Sequence, residues 1–301
     1  MKIKLLNISK LTFFSVFTAT VLMVGCNGNN GNVEDQIEDS VKTDNLSDEF
    51  NKAKQVIYGI PSPIETAMLM KRAGAKYNQD YLNPLLNVGN YTTTKSMSLN
   101  LGIYSTDLSF ASMFEQSQST IKYLSATKKL ADELGILNAI DKSIITRLEN
   151  NVNNRDSSME IISETFMNSN SFLKENDRGE IAAIILTGGW LEGLYIGCLV
   201  AKNTASNKEM IERIADQRLS LNTLISLMNE YKNDPNVQSI LPDMERLKTV
   251  FDKIQTSSSN MEVVEKDGKS IISSKSEVKV STKVFNEICE TITEIRTNII
   301  K

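Results

Sequence analysis

Residues 181–201, IAAIILTGGWLEGLYIGCLVA, form a run of 21 residues with a single charge, Glu192. A helix this apolar is not a surface helix: it must be wrapped by other helices or by lipid. Its length suffices to cross a bilayer, yet an acid near the middle costs about 2.5–3.5 kcal/mol there. The flanking segments read as soluble amphipathic helices, so the favoured reading is a central helix buried on most sides. Gly189, Gly193, Gly197 and Ala201 recur every fourth residue on one face. Each interior Gly costs roughly 0.8–1 kcal/mol against Ala, and close approach of a second helix offsets that cost, as in small-xxx-small packing. Helix packing is the favoured role of Gly189, Gly193 and Gly197. The other reading is space for a ligand beside Trp190 and Glu192.

A second stretch has the same character. LNLGIYSTDLSFAS, residues 99–112, mixes Gly102 and several Ser and Thr with one aromatic, Tyr104, and one acid, Asp107. Tyr104 and Asp107 are spaced i,i+3 and share a helix face. The likeness of the two stretches suggests two similar helical halves. Tyr104, Asp107, Trp190, Glu192 and Tyr195 form the candidate polar site, with satisfied core packing as the alternative role of each.

The remaining signals describe an all-α multi-helix bundle of about eight helices. Ser62-Pro63 with Glu65 is a capping box opening a helix that ends near Gly74. Residues 75–95 carry turn signals, Asn83-Pro84 and Gly89-Asn90. Helices are then expected at about 97–134, 138–150, from Asn154-Arg155-Asp156 to the Arg178-Gly179 break, at 180–203, 207–231, 235–256 from Asp234-Pro235, and 281–300 after Ser281. Residues 261–280 are rich in Val, Ile and Ser around Asp267-Gly268, the pattern of a small β-hairpin before the C-terminal helix. No strand–helix alternation occurs, which argues against a parallel α/β sheet.

The N-terminus reads as an address. Residues 1–10 carry three lysines and no acid, 11–24 are apolar, and Gly25-Cys26 follows. This is a signal peptide over 1–25, and Met23-Val24-Gly25-Cys26 resembles the lipobox of bacterial lipoproteins. Lipid on Cys26 anchors the chain to a membrane, since two or more acyl chains hold where one does not. Residues 26–46, Gly/Asn-rich and then acidic, form a flexible tether, leaving 47–301 as one helical domain. Asp39-Ser40-Val41 resembles a short O-glycosylation acceptor of exported Bacteroidota proteins.

Composition excludes several chemistries. The chain has no histidine, which removes Ser-His-Asp and Cys-His catalysis, histidine metal sites and histidine pH switches. Net charge is -4, moving to about -7 without the signal peptide, and no basic stripe is present, against nucleic-acid binding. No cofactor or metal motif occurs. Cys198 and Cys289 remain beside Cys26. They are read as buried free thiols, with pairing in an oxidising compartment as the other possibility.

IPSPIETAMLMKRAGAKYN (60–78), LNLGIYSTDLSFASMF (99–114) and LTGGWLEGLYIGCLVA (186–201) resemble an uncharacterised family of exported Bacteroidota lipoproteins, over roughly residues 55–301. The resemblance implies an all-helical domain and a cell-envelope location, with the outer membrane expected, and carries no activity. The expected function is a non-catalytic ligand-binding or interaction module. The alternatives are a carboxylate-dependent hydrolase using Asp107 and Glu192, which needs both acids across an open cleft, and a structural or assembly lipoprotein.

Overall fold

In the computed structural model of the chain, the apolar run lies within one 25-residue helix, Gly179–Asn203, and 83% of its most apolar window is buried inside the protein. That burial is against other helices, the alternative to lipid. The structure describes residues 60, 62–137, 142–203, 208–258, 262–266, 269–273 and 276–301, all within the compact unit Glu49–Lys301. The expected signal peptide over 1–25, Gly25, Cys26, the expected tether over 26–46 and Asp39-Ser40-Val41 lie outside the described residues.

The described residues are all-helical in their core, with ten α-helices rather than about eight. They are α1 Pro63–Arg72, α2 Thr94–Met113, α3 Ser117–Glu133, α4 Lys142–Asn151, α5 Arg155–Glu175, α6 Gly179–Asn203, α7 Lys208–Glu230, α8 Pro235–Gln238, α9 Leu241–Phe251 and α10 Thr282–Ile299. Two 3-10 turns, Gln79–Tyr81 and Leu85–Asn90, lead from α1 to α2. Helix α6 is the axis: α2 runs along it most extensively, and α1, α5, α7 and α10 pack around it.

The added helices come from two breaks that the sequence reading missed. The helix expected at 97–134 ends at Phe114 and restarts at Ser117. Glu115 adopts φ 58° there, while Gln116 N–H donates to Ala111 O and Glu115 N–H to Ser112 O, each at 3.0 Å. This is a Schellman closure with glutamate in the left-handed position usually held by Gly, so no glycine marked it. Asp177, φ 55°, ends α5 in the same way, whereas Gly74 and Gly135 close α1 and α3. The helix expected at 235–256 is split into α8 and α9, with Pro242 in the first turn of α9, where a missing N–H costs least.

The small hairpin is not supported as part of the fold. Its turn, Asp267-Gly268, lies outside the described residues, and the short strands nearby, Gln255–Ser258 with Ser276–Lys279 and Glu262–Lys266 with Lys269–Ser273, pair antiparallel with each other. A two-stranded ribbon rich in Ser and charge is marginal without a packed face.

Cys198 on α6 and Cys289 on α10 form a disulfide, with Cα atoms 5.6 Å apart. The free-thiol reading is thereby corrected. Packing of α10 on α6 brings the two Cα atoms within the range that a disulfide spans, which linear spacing could not reveal.

Candidate functional site

The two small-rich stretches are partners. At Gly102 of α2, a Cβ would lie 2.0 Å from Ile185 O of α6; at Gly188 of α6, one would lie 2.0 Å from Leu99 O of α2. Only Gly permits backbones this close. Thr106 Oγ1 donates across the same seam to Gly189 O at 3.0 Å. Mutual packing thus accounts for the likeness of the two sequences.

The glycine row does not form one seam. A Cβ at Gly189 would meet Gly102 O at 3.3 Å, one at Gly193 would meet Thr66 Cγ2 at 2.8 Å, and one at Gly197 would come no nearer than 3.8 Å to Ile214. A four-residue step drifts around a 3.6-residue helix, so the row faces α2, then α1, then α7. Gly102 and Gly188, which make the closest approaches, stand outside the row.

Asp107 and Glu192 lie on this helix pair and are both fully buried. Glu192 is held by Arg296, in the last turn of α10, through Nε to Oε2 at 2.8 Å and Nη2 to Oε1 at 2.7 Å. The guanidinium also donates from Nη2 to Tyr81 O at 3.4 Å and lies over the Tyr195 ring, 4.2 Å from its centroid. Burial works against the charge on Arg296, but the Glu192 and Asp107 carboxyls outweigh it and raise its pKa.

Asp107 Oδ2 accepts from Asn83 N–H at 3.0 Å, whereas Oδ1 receives no hydrogen bond from a neighbouring donor. Two carboxyls beside one guanidinium carry one negative charge too many for a closed site. Burial first, then the Glu192 charge, pushes Asp107 well above the ordinary carboxylate range, against the opposing pull of Arg296 and the Asn83 N–H. The arrangement is a buried Glu–Arg ion pair beside a second buried carboxyl whose ionisation burial and the Glu192 charge disfavour.

Asn83, fully buried, connects this trio to the C-terminus. Its Nδ2 donates to Tyr91 Oη and to Asn100 Oδ1, each at 3.1 Å, and its carbonyl accepts from Tyr123 Oη at 3.1 Å. Tyr91 Oη and Asn87 Nδ2 donate to Ile300 O at 3.2 and 3.1 Å, and Asn100 Nδ2 donates to Ile299 O at 3.2 Å. The carbonyls at the C-terminal end of α10, orphans of every helix C-terminus, are thus met by Asn87 of the second 3-10 turn, Tyr91 just after it and Asn100 of α2. Tyr104 Oη donates to Pro84 O at 3.0 Å, and burial raises its pKa so that it stays a neutral donor.

The candidate residues separate into two places. Tyr104, Asp107, Glu192 and Tyr195 belong to the network above. Trp190 is buried, its Nε1–H unpartnered, and it lines a small recess with Gly193, Gly197, Met210 and Ile214. Arg296, Asn83, Tyr91 and Asn100 were not anticipated. One signal existed for Arg296: it follows Ile292 by four residues, on the apolar stripe of α10 with Ile288 and Ile295. The hydrolase arrangement does not fit, because neither acid faces an open cleft and one is locked to arginine.

An apolar cavity of about 90 Å³ opens elsewhere, between α1, α2, α3, α4, α5 and α6. Leu101, Leu148, Ile162, Phe166 and Ile185 are among its walls, as is Asn170. Asn170 is 4% exposed, and its Nδ2 makes no hydrogen bond.

No protein-family model matches the chain, and comparisons with curated proteins and with solved structures give no match.

Proposed function

We propose that the chain is an exported lipoprotein, held through lipid on Cys26 to the bacterial outer membrane, whose helical domain is a non-catalytic module that binds a small ligand. The export signal over residues 1–25, the tether over 26–46 and the resemblance to exported Bacteroidota lipoproteins support the anchor. The Cys198–Cys289 disulfide fits an oxidising compartment.

The observation that carries the binding reading is the cavity of about 90 Å³ beside Asn170. A concave apolar site with a few polar groups is the usual small-molecule geometry. The acids of the core network are structural in this reading. They tie α6, α2 and α10 together and take no part in chemistry.

An assembly role would draw on exposed apolar surface. The large exposed apolar side chains among the described residues, Met68, Leu86, Ile121 and Leu219, come from four different elements.

The test is purification of the full chain from its native host in mild detergent, followed by extraction and mass spectrometry. A small apolar-tailed molecule in near-stoichiometric amount is expected. An empty protein whose melting temperature responds to no such compound contradicts the binding reading. For the anchor, Cys26→Ala should abolish palmitate labelling and release the chain from the membrane fraction.

A further inference from the structure

The binding reading leaves the ligand unnamed, and the cavity's own chemistry narrows it. The walls are largely apolar, from six helices, α1 to α6. Three hydroxyls that line it are committed to their own helices: Ser105 Oγ donates to Leu101 O at 2.7 Å, Thr127 Oγ1 to Leu124 O at 2.8 Å and Thr165 Oγ1 to Ile161 O at 2.7 Å. Asn170 differs. It is 4% exposed, in the wall, with Nδ2 unpartnered. A buried donor left without an acceptor is costly, and a ligand oxygen removes that cost. Lys128, also in the lining, is exposed and has no ion-pair partner among the described residues. The cavity thus offers a mostly apolar floor, the half-buried hydroxyls of Ser163 and Ser169, one buried amide donor without an acceptor and one cation facing solvent.

Size sets the rest. A dry apolar cavity of about 150 Å³ takes benzene, so the roughly 90 Å³ here holds about four carbons by the same scale.

Resting on the binding reading above, we propose that this cavity takes a short aliphatic carboxylate, its chain of about four carbons among Leu101, Leu148, Ile162 and Phe166, one carboxylate oxygen on Asn170 Nδ2, and Lys128 balancing the charge. A neutral alkane fills the floor but leaves the amide unpaired. A longer acyl chain would have to leave the floor through the open mouth of the cavity.

The test uses the full chain in lipid nanodiscs with methyl-labelled Ile and Leu, titrated with butyrate and, separately, with butane-saturated buffer. Both probes are expected to shift the Leu148 and Ile162 methyls, with butyrate binding at least tenfold more tightly. Asn170→Leu removes the donor at similar volume; it should weaken butyrate about tenfold and leave butane unchanged. Lys128→Ala, an exposed substitution that the fold tolerates, should weaken butyrate several-fold. If butane shifts these methyls while butyrate binds no better, or if Asn170→Leu leaves butyrate unaffected, the carboxylate assignment is overturned and the cavity stands. Tighter binding of decanoate than of butyrate likewise overturns the short-chain assignment. If neither butane nor butyrate shifts the methyls, the cavity is not a binding site and the reading beneath it fails.

Discussion

Arg296 grips Glu192 with two parallel hydrogen bonds, 2.8 and 2.7 Å, across 104 residues of sequence and with both side chains buried. The pair fixes the last turn of α10 to the middle of α6, about two turns from the Cys198–Cys289 link between the same helices. Breaking one side leaves a buried charge uncompensated. Arg296→Met is therefore expected to cost about 3–5 kcal/mol. Arg296→Met combined with Glu192→Gln should cost far less than the two single changes summed. Urea unfolding of the four proteins in a double-mutant cycle checks this, and a cost below about 1 kcal/mol for Arg296→Met speaks against a buried lock.

Asp107 supplies a pH dependence with a definite sign. In the unfolded chain it titrates near 3.8; in the folded protein burial and Glu192 hold its pKa well above that. The folded state thus binds the proton more tightly. The stability Asp107 contributes is complete below the unfolded value and is lost as pH rises through the folded one. Asp107→Asn keeps an acceptor for the Asn83 N–H and cannot ionise. Its stability relative to the natural protein should grow with rising pH. A parallel pair of stability–pH curves contradicts a raised Asp107 pKa.

Substitution of the α6 glycines separates seam from row. Gly188→Ala drives a Cβ into Leu99 O and should destabilise by about 1–3 kcal/mol or more. Gly197→Ala meets only ordinary contacts from 3.8 Å outward and should be neutral or stabilising by up to about 1 kcal/mol through helix propensity. Thermal unfolding of the two variants checks the order, and equal effects contradict the close α2–α6 approach.

The two non-glycine Schellman positions are places where the fold bears local strain. Glu115 and Asp177 sit at φ 58° and 55°. Glu115→Gly and Asp177→Gly are each expected to raise stability by about 1 kcal/mol, since Gly enters the left-handed region freely. Glu115 gives up only long, exposed ion pairs to Lys71 and Arg155, at 4.0 and 3.8 Å. Denaturant midpoints of the single variants read the gain; a loss shows that these side chains stabilise the turns in another way.

The same residues show how far the sequence was legible. Local chemistry was: the Ser62–Glu65 capping box, Gly74 and Gly135 as helix stops, and Asn154, Asp234 and Ser281 as N-caps stand where their residue types place them. The break at Glu115 was hidden because a charged residue occupies a glycine position. The break before α9 was marked by Pro242, which the helical periodicity around it masked. Buriedness of Glu192 and Asp107 followed from their apolar surroundings. Their partners did not, because Arg296 and Asn83 lie 104 and 24 residues away and meet them only through tertiary packing. Pairing of Cys198 with Cys289 depends on the same packing of α10 on α6. The cavity beside Asn170 arises where six helices fail to fill the space between them, and no linear pattern encodes that.

Under the proposed function the buried acids are a structural lock and a ligand binds in the cavity lined by α1 to α6. A crystal structure of the protein purified from its native host, with butyrate added, tests this most directly. Ligand density beside Asn170, with Asp107, Glu192 and Arg296 closed on one another, is the predicted result. Density against Asp107 or Glu192, in a cleft opened between α6 and α10, would contradict it.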